Sequence, residues 1–381
     1  MRILHLADLH LGRSLSEFSL IDLQREFLTG IIHTVSEQNI NAVLIAGDVY
    51  DRTLPSVHAV QLLNGFLSAL SRINVPVLLI AGNHDSAERL SFLSGVLGMQ
   101  GIHIAGEYEL GAAPVTLYDE YGPVHFHLLP FFRPGAVRSQ VKDARIETYD
   151  DAVRTAVEYM NINPDERNVL LAHHFVGAAG QMPLQSDSEM PFLGGLELVH
   201  ASNFDAFDYV ALGHLHHPQK VGRETVRYSG SPIKYSLGEA ESQKSFVITE
   251  LREKGAVTVE TVPVRLSVGM RALRGRLEEI MSLPASENDG DFLAVQLTDE
   301  NPVYDAMQTL RTRYPRVISV RRERDMVAAM PGVLPAASVR EADPLSLFDR
   351  FCEEITGYGL TDAERKDIQS AAAEAQEEVN A

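Results

Sequence analysis

Residues 42–51 read Ala42-Val43-Leu44-Ile45-Ala46-Gly47-Asp48-Val49-Tyr50-Asp51. A five-residue apolar run bounded in this way suits a strand covered on both faces. The same pattern lies on either side of it. Arg2–Ala7 runs apolar into Asp8-Leu9-His10, and Val75–Ala81 runs into Gly82-Asn83-His84-Asp85. Helical stretches separate the three, one near Leu20–Gln38 and one opened by Pro55 and continuing to about Ile73. Buried strands alternating with helices predict parallel crossovers. Later runs at Val124–Leu129, Val169–Ala172, Tyr209–Leu212, Val226–Tyr228 and Phe246–Leu251 are more often adjacent or hairpin-like. The expected class is therefore α/β, with a mixed sheet or a two-sheet sandwich.

The chemistry-bearing residues sit at the ends of these runs. Asp8 and His10, Asp48, Asn83 and His84, His173, and His214 and His216 each follow directly on one. In an open sheet, ligands bind outside the carboxyl ends of the strands, so five strand ends would deliver these groups to one place. Imidazole, carboxylate and amide without thiolate suit Mn, Fe or Zn better than Ca or copper(I). Seven candidate ligands sharing one carboxylate would make two sites of four. Two-metal hydrolases of this kind acidify a water and clamp the oxygens of an in-line displacement at phosphorus.

Composition narrows the class. The chain has 381 residues, 45% hydrophobic and 22% charged, which predicts two to three domains with a sizeable core and excludes a disordered chain. No apolar run approaches the roughly 18 residues of a membrane span, and charge interrupts the first apolar stretch too early for a signal peptide. A soluble, cytoplasmic protein is expected. The single cysteine, Cys352, excludes an internal disulfide and a Cys-based zinc site. Net charge is −19, so bulk electrostatics give no hint of a nucleic-acid partner. Its distribution is uneven: residues 1–264 carry 19 basic against 31 acidic residues, residues 265–330 carry 10 of each with no lysine, and residues 341–381 carry 3 against 11.

Pro263 and this change of charge pattern place a boundary near Val264. The expected organisation is a main domain over 1–264, a small α+β unit over 265–330, a linker over 331–343 and a helical tail over 344–381. In the tail, Leu345, Phe348, Cys352 and Ile355 share one helical stripe that either packs on its own chain or docks a partner. The stretch between Gly177 and Gly195 lacks periodicity and reads as a long surface loop.

Taken together, Asp8-x-His10, Gly47-Asp48-x-x-Asp51, Gly82-Asn83-His84-Asp85, His173 and Gly213-His214-x-His216 resemble the calcineurin-like metallophosphoesterase signature, complete and in order. Arg2–Gly12, Gly47–Arg52, Val169–Phe175 and Tyr228–Tyr235 further resemble the SbcD-type nuclease subunits, the bacterial branch of a DNA double-strand-break repair exonuclease family. The resemblance is close over roughly the first 250 residues, and Asp343–Phe348 also looks familial.

It implies a two-sheet sandwich flanked by helices, with a small α+β capping domain that abuts DNA and a C-terminal helical tail. It also implies a manganese-dependent double-strand exonuclease and single-strand endonuclease, working as a homodimer with an SbcC-type ATPase held by the tail. One metal would take Asp8, His10, Asp48 and His216, and the other Asp48, Asn83, His173 and His214. His84 would stabilise the transition state or protonate the leaving oxygen, Asp85 would orient it, and Asp51 would fix ligand geometry from behind. His174 and His217 are then bystanders, and His5 a core histidine. Arg52 and Arg89, beside the ligand loops, either reach phosphate or face solvent.

Two rivals remain at this point. A small-molecule phosphodiesterase or phosphatase would use the same chemistry, although phosphatases of the superfamily usually read Gly-Asp-x-Val-Asp-Arg-Gly and Gly-Asn-His-Glu. A scaffold that merely holds its ATPase would be expected to have lost a ligand.

Overall fold

The computed structural model describes residues 1–141, 145–178, 180, 182–186, 188, 189, 197–322 and 365. The tail stripe Leu345, Phe348, Cys352 and Ile355 lies outside the described residues, as does the linker over 331–343.

The chain begins with β1 (Arg2–Leu6), α1 (Ile21–Glu37), β2 (Ala42–Ala46), α2 (Val57–Arg72), β3 (Val77–Ile80) and β4 (Ile102–Ala105). Then come β5 (Val115–Asp119), β6 (Gly122–Leu129), α3 (Tyr149–Glu158), β7 (Arg167–His173) and β8 (Tyr209–Gly213). β9 (Gln219–Val221), β10 (Arg223–Tyr228), β11 (Ser245–Leu251) and β12 (Val257–Pro263) complete two six-stranded sheets. The first has the order β12-β11-β1-β2-β3-β4 and the second β9-β10-β8-β7-β6-β5. β1 to β4 are parallel, as are β6, β7, β8 and β10, while β11, β12, β5 and β9 run antiparallel to their neighbours. Both sheets are therefore mixed, and they stack as a sandwich.

Alternation along each strand builds the layers. Ile3, Ala42, Leu44, Leu78 and Ile80 of the first sheet meet Val124, Phe126, Val169, Leu171 and Tyr209 of the second in a dry core between them. The intervening residues Leu4, Val43, Ile45 and Leu79 face outward onto α1 and α2. Each helix matches this with a stripe at helical spacing: Leu23, Phe27, Ile31 and Val35 on α1, and Leu62, Leu63, Phe66 and Leu70 on α2. Ser56 caps α2 by accepting from the Ala59 amide (3.2 Å), so the helix starts just beyond Pro55 rather than at it. α3 covers the far face of the second sheet through Ala152, Val153 and Ala156. His5 fits the inter-sheet core by pairing with the Tyr209 hydroxyl (2.9 Å) and the Leu212 carbonyl (3.2 Å), and burial pushes its pKa down to about 3.

A smaller α+β unit follows. β13 (Met270–Gly275), α4 (Leu277–Ser282), β14 (Phe292–Leu297), α5 (Ala306–Arg311) and β15 (Val317–Arg322) form a three-stranded sheet in the order β13-β14-β15. Ile280, Leu293, Val295, Leu310 and Tyr314 make its own core. Met270 and Phe292 also pack on Leu20, Leu23, Ile233 and Tyr235 of the sandwich. Ser267 donates to Glu26 across the same junction. No helix among the described residues is long and apolar enough to cross a membrane.

Candidate active site

The carboxyl ends of β1, β2 and β3 and of β7 and β8 open at one edge of the sandwich, and the sheets approach closely there. An added Cβ on Gly47 would overlap the His173 ring, and one on Gly82 would overlap the Asp48 carboxylate. Glycine at both places lets the ligands of opposite sheets meet.

All seven expected ligands converge. Asp48 Oδ2 lies 3.6 Å from His10 Nε2 and 3.4 Å from His173 Nε2, between the two histidines. His10 Nε2 faces His216 Nε2 at 3.1 Å. Asn83 Oδ1 is 3.1 Å from His173 Nε2 and 3.0 Å from His214 Nδ1. Asp8 accepts the His214 amide at 2.9 Å through Oδ1, whereas its buried Oδ2 has no hydrogen-bond partner. Asp8 groups with His10 and His216, and also with Asp48 and His173, at spacings that a cation could bridge.

This donor set fits divalent metal. An unpaired buried carboxylate oxygen and two imidazole nitrogens 3.1 Å apart are costly arrangements without a cation or shared proton between them. Burial lowers the pKa of His10 and His216 and takes His214 down to about 3, which keeps these rings in the neutral form that ligates metal. Burial also opposes a proton on His173, but Asp48 and Asp8 outweigh it and push its pKa up to about 9. Burial and the neighbouring Asp48 charge raise Asp8, against His173, while the surrounding histidines hold Asp48 ionised despite its burial.

The backbone is strained where it presents these groups. Asp8, His10, Asp48 and His214 have φ of 52°, 41°, 48° and 104°, a region that non-glycine residues seldom enter. Several contacts hold them there. Buried Gln24 of α1 donates to the His10 and Leu9 carbonyls (2.8 and 3.3 Å) and accepts the Gly12 amide (2.9 Å). The Tyr235 hydroxyl donates to the Leu9 carbonyl at 2.5 Å. His173 Nδ1–H donates to the Ala46 carbonyl (2.7 Å), which turns Nε2 into the site.

Asp85 has a different job from the one the motif suggests. Its carboxylate accepts the amides of Val49 (3.1 Å), Tyr50 (2.9 Å) and Gly82 (2.9 Å), tying two ligand loops together. Burial and Asp48 raise its pKa to about 6, against those three bonds. The ring of His84 is oriented instead by the main chain, with Nδ1–H donating to the Asp51 carbonyl at 3.1 Å. The Asp51 side chain lies 3.8 Å from His10 Nδ1 and 3.2 Å from Arg13. Arg52 is exposed beside Asp51 (3.5 Å), and Arg89 is exposed on a short helix; among the described residues neither bonds to a ligand. His174 packs edge-on against Phe132, with ring centroids 4.8 Å apart, and His217 bonds to Ser242 (3.2 Å).

Sequence reasoning missed a buried network behind His216. His216 Nδ1–H donates to Ser188 Oγ (2.7 Å), and that hydroxyl donates to Glu239 Oε1 (2.5 Å). Lys244 pairs with Glu239 Oε2 (2.5 Å) and donates to the His216 carbonyl (2.8 Å) and Ser231 (2.8 Å). Glu189 accepts the His216 amide (2.5 Å), and burial raises its pKa to about 7. Part of the stretch read as a surface loop thus lines the site. The only signal for it was the presence of Ser and acidic residues in an aperiodic segment.

A family model for calcineurin-like phosphoesterases matches residues 1–218. The chain belongs to the calcineurin-like phosphoesterase family. It is accordingly a metal-dependent phosphoesterase, and every candidate ligand described above falls inside the matched span. A second model, described as a type 5 capsule protein repressor C-terminal domain, matches residues 267–356. The chain is 28% identical over 373 residues to SbcD, a subunit of the SbcCD nuclease of Staphylococcus epidermidis, covering 97% of each chain. Among solved structures, TT1561 of Thermus thermophilus matches 69% of this chain and 99% of its own, with 13% identity and a TM-score of 0.39. A dimetal phosphatase from Danio rerio matches 70% and 99%, with 11% identity and a TM-score of 0.35.

Proposed function

We propose that this phosphoesterase is a manganese-dependent DNA nuclease that cuts double strands from their ends and single strands internally. The observation that carries the reading is similarity along 97% of both chains to a nuclease subunit, supported by the clustering of Asp8, His10, Asp48, His173 and His216 at spacings that a metal could bridge. The chain would act as a cytoplasmic homodimer with an SbcC-type ATPase. The unit over 265–330 would touch DNA through its arginines, which suit phosphate, and the tail over 344–381 would hold the ATPase.

Asp8, His10, Asp48 and His216 would hold one ion, and Asp48, Asn83, His173 and His214 the other; the place of Asp48 Oδ2 between His10 and His173 supports a shared ligand. Bound divalent ions would supply charge to the phosphoryl oxygens and acidify an attacking water. With Nδ1–H engaged by Asp51, His84 turns Nε2 to the substrate and donates from it to a phosphoryl or leaving oxygen when protonated.

Cleavage of a labelled duplex and a labelled single strand, compared with hydrolysis of bis-p-nitrophenyl phosphate with and without Mn, tests the proposal. Manganese-dependent cutting of both DNAs is expected. Hydrolysis of the small ester alone would leave a small-molecule phosphodiesterase, and no hydrolysis at all a scaffold.

A further inference from the structure

Beside the Asn83 and His214 ligands the structure holds a pocket of about 310 Å³. Its wall is aromatic: Phe131, Tyr149, His174 and Phe175 line it, with Arg133 and Glu197 at its polar parts. Phe131 is fixed there because its amide donates to the Ala81 carbonyl (2.9 Å), just before the Gly82-Asn83 turn. Tyr149 begins α3 behind a capping box in which Thr148 and Asp151 bond reciprocally. The Phe131 and Tyr149 rings are 6.2 Å apart at 33°, and His174 lies 5.6 Å from Phe131.

Three features mark this as more than core packing. Phe131 and Tyr149 remain half-exposed, so ring faces are open to a ligand. His174 is 1% exposed, yet neither ring nitrogen makes a hydrogen bond of normal geometry. Arg133 is exposed and has no ion pair among the described residues. An apolar pocket with a few converging polar groups is the usual form of a small-ligand site. This one is continuous with a centre that handles phosphate esters. A nucleobase hangs one sugar away from its phosphate and stacks on aromatic faces such as those of Phe131 and Tyr149.

We infer that the pocket receives the nucleobase of a nucleotide adjoining the scissile phosphate, so that the enzyme splays one base out of the strand before cutting. The inference rests on the nuclease reading above. Arg133, at the mouth, then meets the neighbouring backbone phosphate. Such a subsite is tolerant of sequence, because every base offers a π-face. It is better served by single strands, whose bases need no unpairing.

The test uses the full-length protein with Mn and a set of single-stranded oligonucleotides, each lacking one base at a defined position. For the wild-type protein, one abasic position beside the cut should lower kcat/KM by about 5- to 150-fold, the range expected for a lost stacking contact. Tyr149→Leu keeps the apolar volume that packs α3 but removes the ring; it should cut the intact strand at the lowered rate and be indifferent to the missing base. Phe131→Leu should behave likewise. Thermal unfolding of each variant shows whether the fold is retained, and the wild-type abasic series needs no variant at all. Cleavage that ignores every missing base would overturn the pocket alone. Hydrolysis of bis-p-nitrophenyl phosphate without any cleavage of DNA would overturn the nuclease reading, and the base subsite with it.

Discussion

Replacing Glu239 by Gln tests whether the network behind His216 serves the metal site or only the fold. Glu239 is fully buried, and Lys244, its partner at 2.5 Å, is 4% exposed. Burial alone would protonate this carboxyl, but His216 and Lys244 hold it ionised. Glutamine keeps the volume and can still accept from Ser188, but leaves the ammonium of Lys244 without a counter-charge. Removing one member of a buried pair costs about 3–5 kcal/mol. Lys244 keeps its bonds to the His216 carbonyl and Ser231, so the lower end applies. Unfolding entropy of about 2.1 cal/mol/K per residue makes 1 kcal/mol worth about 1–1.5 °C in a chain of this length, so the Tm should fall by about 4 °C.

The second effect is on metal. Ser188 passes the negative charge of Glu239 to His216 Nδ1, which makes Nε2 a better ligand and fixes the ring. Loss of such an outer partner costs about 10- to 100-fold in metal affinity. The double variant Glu239→Gln/Lys244→Met removes the stranded charge, so its Tm should recover while its metal affinity stays low. Calorimetric titration of the metal-free protein with Mn, beside scanning calorimetry, reads both quantities. Metal affinity that recovers together with Tm in the double variant would refute the positioning role.

Asp48→Ala should abolish phosphodiester hydrolysis and reduce the metal bound per chain, because the carboxylate lies between both histidine groups; two ions retained on elemental analysis would contradict a shared ligand. His84→Ala should keep its metal while turnover on DNA falls by roughly 10²–10⁴-fold, the usual worth of an acid or charge stabiliser; metal loss in step with activity would make His84 a ligand. Asp119 pairs with Arg167 at 2.5 Å, which depresses its pKa against partial burial. A depressed carboxyl contributes stability above its unfolded pKa of about 4 and loses it as pH falls towards the folded value. Asp119→Asn should thus be less stable than the wild type by about 1.5–3 kcal/mol near neutrality, and the gap between the two melting curves should narrow progressively as pH falls below about 4. Phe348→Glu should end co-purification with the ATPase and spare cleavage of short DNA; an intact complex would return the stripe to intrachain packing.

What was legible in the sequence follows from where each residue is buried. Central strands covered on both faces show as short, largely apolar runs, and β1, β2, β3, β6, β7, β8, β10 and β11 all lie on runs visible without a structure. Within the two six-stranded sheets, the four strands that escaped, β4, β5, β9 and β12, are the edges. An edge strand packs weakly on one side, so β12 alternates Thr and Glu with Val, and β9 has only three residues. The candidate metal ligands were readable because they are polar residues placed directly after apolar runs. Their supports were not. Gln24 sits in an amphipathic helix where a glutamine passes for surface, and Glu239 and Lys244 look like ordinary solvent-facing charges. Burial of a charge depends on tertiary neighbours, and no local pattern records it.

Asp85 shows how this limit can mislead at a residue that was singled out. Its position after His84 suggests a carboxylate behind an imidazole, but three amides from two loops reach it first. Those amides lie beside Asp48, whose left-handed φ needs support, since strain of this kind costs about 1–3 kcal/mol per residue. A carboxylate that accepts three N–H groups can offset such a cost and lock the 47–50 turn against the Gly82-Asn83 turn. Asp48 and Asn83 are then held in place by the fold before any ion arrives. Placing ligands in advance in this way reduces the reorganisation that binding and catalysis would otherwise require. The acidic residue of the Gly-Asn-His-Asp motif is therefore explained by backbone geometry, and His84 is left to the Asp51 carbonyl and the substrate.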